Sequence, residues 1–260
     1  MRFHFTHPYL LNPQHPITVN LIGCGGTGSQ VLTLLARMHV ALQAMGHPGL
    51  YVSVFDGDQV SEANVGRQMY AMSDIGYKKS VVAVTRVNRF FGLNWKAVTS
   101  NYTKTLVTQN APGYRANINI TCVDSAKARI SIAAIFDKSN KGHEPYHHQF
   151  YWLDFGNLKS TGQVVLGTIG TVKQPAQSEH ETISKLKNIV ELLPGIKKIK
   201  EKDQGPSCSL AEALQKQDLF INSTLANLGM DILWKLFTGM IDTQGLYLNL
   251  ESMKVNPIKV

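Results

Sequence analysis

Apolar positions along the chain alternate between short continuous runs and stretches of helical period. Residues 17–22, "ITVNLI", read as a buried strand; after the glycine-rich turn that follows, Val31, Leu34, Leu35, Met38 and Leu42 recur at helical spacing and predict a helix beginning near Ser29. The contrast repeats downstream. Strands are predicted at 50–55, 96–102, 117–123, 149–155 and 162–169, with helices at 79–91 and 128–136. Strand and helix in alternation predict an α/β fold: a Rossmann-like, doubly wound, mostly parallel sheet with helices on both faces. A further helical pattern at 219–239, carried by Leu225, Leu228, Ile232, Leu233 and Leu236, appends a long helix and C-terminal strands. The chain therefore divides into a nucleotide-binding core over 1–170, a polar and charged loop over 171–206, and a segment 207–260 whose helix and strand complete the same domain.

Composition narrows the class. With 260 residues, 43% of them hydrophobic, the chain is long enough to bury a substantial core. It holds no apolar run of the ~18 residues that a membrane span needs. The opening "MRFHFTHPYLLNPQHP" is broken by His and Pro rather than shaped like a signal peptide, so the expected location is the cytoplasm. The three cysteines, Cys24, Cys122 and Cys208, form no C-x-x-C pair, and neither a disulfide framework nor zinc is expected. The net charge of +8 is spread along the chain except in "GIKKIKEKD" at 195–203, which reads as a solvated loop face. Nucleic acid is not the expected partner; the positive excess suits steering of anionic nucleotides or an acidic protein. His143, His147 and His148 invite a metal reading, but adjacent histidines on a strand point apart.

The candidate chemistry starts at "LIGCGGTGSQ", 21–30. Gly23, Gly25, Gly26 and Gly28 follow a strand and open a helix, an arrangement that lets backbone N–H groups reach an anion with no Cβ in the way while the helix N-terminus favours negative charge. The same glycines satisfy the ordinary dinucleotide pattern, so the loop alone does not separate NAD from ATP. At the end of the second strand, Asp56 can accept hydrogen bonds from ribose hydroxyls of either nucleotide, or simply form a turn before Gly57. Downstream lie Arg67 and Lys79, with Asn64 and Gln68 as neutral donors. A triphosphate attacked at its α-phosphate needs such cations on its oxygens, whereas a dinucleotide oxidoreductase has no evident use for them. Asp124, where the 117–123 strand ends, is placed either to face a ligand or to cap the next helix.

These residues together resemble the ThiF/MoeB/ubiquitin-activating-enzyme superfamily of ATP-dependent adenylating enzymes, and more narrowly the ThiF-family component of the plasmid-borne PRTRC cassette. The likeness spans about 17–240. It rests on "GCGGTG", on "DGDQVSEANVGRQ" with Asp56, Asp58, Asn64, Arg67 and Gln68 in order, on Lys79 within "DIGYKKS", and on Asp124 and Arg129 within "VDSAKAR". The resemblance implies ATP and Mg²⁺ as cofactors, with Asp56 on the ribose, Arg67 and Lys79 clamping the triphosphate, Asn64 and Gln68 orienting phosphates, and Asp124 holding the metal. It implies adenylation of the C-terminal carboxylate of a small ubiquitin-like β-grasp protein, with 171–206 as a crossover loop over that protein's tail, and a homodimer.

The family also uses a cysteine that accepts the acyl group or carries sulfur, and Cys208 in "QGPSCSLAEAL" occupies the matching place. Ser209 and Glu212 read as a capping box there, and a helix N-terminus favours thiolate. Some relatives adenylate without a thiol, so Cys208 stands as either catalytic or structural. Cys24 reads as a loop filler and Cys122 as an inert strand residue. Many relatives carry two C-x-x-C pairs that bind zinc; this chain lacks them, which leaves its C-terminal part to be held by packing. The face of the 219–239 helix then serves either a homodimer or the core. Two alternatives from other classes remain open at this level: an NAD(P)-binding oxidoreductase, and an ATP-binding pseudoenzyme or scaffold linked to plasmid maintenance.

Overall fold

The computed structural model describes residues 1–109, 113–136, 143–198 and 215–260. In chain order its strands are β1 (Arg2–Phe5), β2 (Ile17–Ile22), β3 (Leu50–Phe55), β4 (Lys96–Val98), β5 (Ile118–Thr121), β6 (Tyr151–Asn157), β7 (Thr161–Thr168), β8 (Glu181–Thr182), β9 (Met240–Ile241), β10 (Thr243–Asn249) and β11 (Lys254–Lys259). Its helices are α1 (Pro8–Leu11), α2 (Gly26–Ala44), α3 (Lys79–Phe91), α4 (Lys104–Gln109), α5 (Ala126–Ala133), α6 (Ile189–Leu192) and α7 (Ile221–Leu236).

An eight-stranded sheet runs β11-β10-β7-β6-β5-β2-β3-β4. From β6 to β4 every pairing is parallel, and from β6 outward through β7, β10 and β11 every pairing is antiparallel. The parallel half is the Rossmann-like sheet expected from the alternating pattern. Alternate residues of single strands go to opposite layers. Leu153 and Phe155 join the large core with α2, α3 and α7, while Trp152 packs with Ala126 of α5 and Ile189 of α6. Both faces of the sheet are thus covered, which explains why the central strands read as nearly continuous apolar runs.

Several boundaries differ from the sequence reading. Helix α2 starts at Gly26 rather than near Ser29, so two of the four loop glycines lie inside its first turn. Strand β4 ends at Val98, short of residue 102, because the chain turns there: Asn101 Oδ1 accepts from the Gly57 N–H and Tyr102 packs edge-on against Phe55. His147 ends a 3-10 turn, Pro145–His147, instead of lying on a strand with His148. The N-terminal stretch, uninformative as sequence, supplies β1, the centre of a small sheet with β8 parallel on one side and β9 antiparallel on the other.

Within 171–198 the chain forms β8, α6 and a 3-10 turn at Pro194–Lys198. The apolar stripe of α7 faces the interior: Leu225, Ile232, Leu233 and Leu236 are buried in the main core and Leu228 is partly buried against it. Of the two readings left open for that stripe, core packing is the one these four residues adopt. Among the described residues, no helix is long and apolar enough to cross a membrane.

Candidate active site

A cavity of about 640 Å³ opens beyond the carboxyl ends of β2, β3 and β5, the edge at which doubly wound sheets place their ligands. Its lining brings together Gly23, Gly25, Gly26, Asp56, Asp58, Arg67, Gln68, Lys79 and Asp124 from four separate stretches of sequence. A second cavity, of about 510 Å³, lies beside the amino ends of β2 and β3 and contains none of these residues.

Each glycine of the loop has its own physical reason. Gly23 has φ +91° and a Cβ there would meet the Cys122 carbonyl oxygen at 2.8 Å. At Gly28 a Cβ would fall 2.0 Å from the Gly23 carbonyl oxygen, so its absence lets the helix start pack against the turn. Gly28 does not itself line the cavity. Gly25 is the N-cap of α2, and no side chain caps the helix there. The first-turn N–H groups are thereby left to a ligand, and the dipole of a 19-residue helix favours an anion at that point.

Asp56 follows β3 and its carboxylate already secures the loop: Oδ2 accepts from the Cys24 N–H at 2.6 Å and Oδ1 from the Asp58 N–H at 2.8 Å. Burial pushes its pKa up, opposed by those two amides and by Lys79. Each oxygen keeps a further lone pair for a hydroxyl donor. Lys79, the first residue of α3, is buried with its ammonium 3.2 Å from Asp58, whose own side chain is 68% exposed. Lys78 turns away, its ammonium donating to the Gly57 carbonyl.

Arg67 and Gln68 sit in the irregular stretch between a 3-10 turn at Glu62–Asn64 and Tyr70. Arg67 Nη1 donates to Gln217 Oε1, and burial of the guanidinium lowers its pKa. Among the described residues, Arg67 Nε and Gln68 Oε1 are both buried without a hydrogen-bond partner. Orphaned polar atoms of this kind cost free energy and mark a place where a ligand completes the bonding. Asn64 is placed differently. Its Oδ1 accepts from the Ser61 N–H to close the 3-10 turn, and it is not among the residues lining the cavity.

Asp124 is exposed in the turn between β5 and α5. The cap of α5 is its neighbour Ser125, whose hydroxyl accepts from the Ala128 N–H at 3.1 Å, so the capping role open to Asp124 on sequence grounds is taken. Arg129 explains how the turn is held. Its guanidinium donates to the carbonyls of Val123, Ser125 and Phe155 while pairing with buried Asp154. Among the described residues, no group of three or more His, Cys, Asp and Glu side chains is arranged to hold a metal. Asp124, exposed in the lining of the cavity, suits Mg²⁺ carried in on a nucleotide, since that ion takes one or two carboxylates and completes its shell with phosphate oxygens and water.

Sequence reasoning missed Gln217, Asn222 and Thr27, which line the same cavity. For Thr27 and Asn222 the only signal was polarity at the start of two apolar helices, and Gln217, four positions before α7, had none. Cys24 and Cys122 are both free, and burial pushes the thiol of Cys24 up to about 12 and that of Cys122 well above its usual range. Cys208 and the capping pair Ser209 and Glu212 lie outside the described residues.

A family model described as "ThiF family" matches residues 15–256. Among solved structures the chain resembles E. coli MccB (TM-score 0.57, 15% identity, 96% of this chain and 63% of that one). It also resembles PaaA (TM-score 0.58, 15% identity, 95% and 64%). E. coli MccB solved with ATP gives a TM-score of 0.55 at 15% identity over 96% of this chain and 64% of that one. These are likenesses of fold, and the chain spans just under two thirds of the length of those proteins. No curated protein matches the sequence.

Proposed function

The chain belongs to the ThiF family, and from that premise we propose that it uses ATP to adenylate the C-terminal carboxylate of a small ubiquitin-like β-grasp protein. The observation that carries the reading is the convergence of the uncapped α2 N-terminus, Asp56, Arg67, Lys79 and Asp124 on one cavity. E. coli MccB, which shares the fold, has been solved with ATP. The proposal treats 1–170 as the adenylation core, 171–206 as a crossover loop over the partner's tail and 207–260 as completing the domain. It extends to a homodimer, read by sedimentation, and to a PRTRC-type setting in which the partner is encoded beside this chain.

In this mechanism the ribose hydroxyls donate to Asp56. The phosphates take the open amides of α2, and Lys79 exchanges its exposed partner Asp58 for a phosphate oxygen. Arg67 offers Nε, a donor with no partner among the described residues, while Gln68 helps orient the phosphates, with Asn64 supporting them through the turn it closes. Mg²⁺ bound at Asp124 would supply further neutralisation of phosphate charge. A carboxylate oxygen of the partner attacks the α-phosphorus, the bond from that phosphorus to the β-phosphate oxygen breaks, and pyrophosphate leaves with the electron pair. Two anions must meet in this step, so its acceleration comes from alignment and fixed positive charge. In the proposed second step the Cys208 thiolate attacks the acyl carbon of the adenylate, a thioester forms as the acyl–phosphate bond breaks, and AMP leaves with the electron pair.

The test is ATP–pyrophosphate exchange with the purified chain and candidate β-grasp proteins. Exchange that requires a partner with an intact C-terminus is expected. Exchange driven by a free small carboxylate and indifferent to such proteins would reassign the substrate. Stabilisation by NADH but not by ATP would point instead to the oxidoreductase reading.

A further inference from the structure

Arg67 reaches the cavity on a long side chain from an irregular stretch. Among the described residues its guanidinium makes one hydrogen bond, to the amide oxygen of Gln217, 150 positions further along the chain. The same oxygen accepts from Asn222 Nδ2 at 3.1 Å, and Asn222 Oδ1 accepts from the Thr27 hydroxyl at 2.9 Å. Asn222 is the second residue of α7 and is 3% exposed; Thr27 is the second residue of α2. A Cβ on Gly26 would lie 2.7–2.9 Å from the three terminal side-chain atoms of Asn222. The amide therefore seats directly on the glycine loop.

We infer that Gln217 and Asn222 are positioning residues that orient Arg67 toward the bound phosphates, through a relay from Thr27 through Asn222 and Gln217 to Arg67. The inference rests on the nucleotide reading of the cavity. Its chemical sense lies in the choice of an amide at 217. Fixing an arginine side chain costs rotamer entropy, so a guanidinium tethered before ligand binding has met part of that cost in advance. A carboxylate at 217 would tether it too, but would neutralise the charge that the phosphates need. Glutamine fixes the fork while leaving the positive charge and Nε for the ligand. The relay also makes the phosphate clamp depend on docking of the N-terminus of α7 against that of α2, two elements remote in sequence.

The experiment is a double-mutant cycle on the full chain, read as Mg·ATP affinity by calorimetry, which needs no protein partner. Arg67→Ala should weaken ATP. Gln217→Leu should also weaken it, on the order of tenfold, as expected for loss of a hydrogen bond to a charged group, while the melting temperature stays close to wild type. In the Arg67→Ala background Gln217→Leu should have no further effect, a coupling that a merely structural role would not produce. Gln217→Glu keeps the acceptor but adds negative charge, and should weaken ATP without loss of stability. If Arg67→Ala leaves ATP affinity unchanged, the nucleotide reading fails and the relay with it. If Arg67→Ala weakens ATP but Gln217→Leu is neutral, or the two effects simply add, the relay alone is wrong. Wild-type affinity in Gln217→Glu would likewise overturn the charge logic assigned to the amide.

Discussion

Arg129 and Asp154 form an ion pair almost wholly removed from solvent, with Arg129 Nε 3.0 Å from both carboxylate oxygens. Burial pushes the Asp154 pKa up, and Arg129 together with the Thr121 hydroxyl opposes that shift. The guanidinium also ties down the carbonyls on either side of Asp124, so one buried pair sets the geometry of an exposed carboxylate.

Removing one partner should therefore be severe. Arg129→Met is expected to cost about 3–5 kcal/mol, because it strands a buried carboxylate. Adding Asp154→Leu should recover much of that stability. Nucleotide-dependent exchange should not recover, since the Val123 and Ser125 carbonyls stay untethered. Urea melts and exchange assays on the single and double variants check this; full recovery of both would show that the pair does not position Asp124.

Asp124 itself should show the opposite balance. It is exposed and Ser125 supplies the cap, so Asp124→Ala should change stability by no more than about 0.5 kcal/mol. Exchange should fall on the order of 10² to 10³, as for loss of a preorganised electrostatic group. A folded variant with wild-type exchange would remove Asp124 from the chemistry.

Gly26→Ala should act through Asn222, whose amide occupies the space of the new Cβ. The expected result is weakened Mg·ATP binding that resembles Asn222→Ala, with the double variant Gly26→Ala/Asn222→Ala no worse than Asn222→Ala alone. Calorimetry on the three proteins decides. A double variant whose losses add would mean that the bare backbone at Gly26 serves the phosphates directly.

The N-terminal segment should give the fold a pH dependence. His7 accepts from the Tyr9 N–H through Nδ1 and stacks on Phe150 at 3.9 Å. Burial, and secondarily the charge of His148, draw its pKa down from 6.5 to about 4. A depressed pKa means that this contribution is complete above pH 6.5 and is lost as pH falls toward about 4. The melting temperature of wild type should fall across that window more than that of His7→Asn, which keeps a capping acceptor but does not titrate. Parallel curves for the two proteins would dismiss His7 as the cause.

Cys208→Ser bears on the step after adenylation. Exchange should survive, while a partner-linked adduct cleaved by thiol reductants, present in wild type, should vanish from denaturing gels. Persistence of the adduct in the variant, or its absence from wild type, would make Cys208 structural and the adenylate the final product.

Local periodicity and turn chemistry, both properties of neighbouring residues, determined much of this protein. Buried strands β2 and β3 matched their apolar runs to the residue, α3 was legible from its period, and the glycine turn was legible from a strand running into a helix. The glycine loop and the acids and cations downstream carried the resemblance to the ThiF family. Boundaries were less legible wherever a long-range bond ends an element, as Asn101 does beyond β4 by capping Gly57. Only the tertiary structure decided why each site residue stays where it is. Arg129 was legible as a motif residue, but its partner Asp154 was not, and Gln217 carries no local signature; Arg129 with Asp154 and Gln217 with Arg67 are brought together by the fold rather than by sequence spacing. Sequence spacing sets which side chains share a strand or helix face; which faces meet is settled by burial of the whole apolar surface at once.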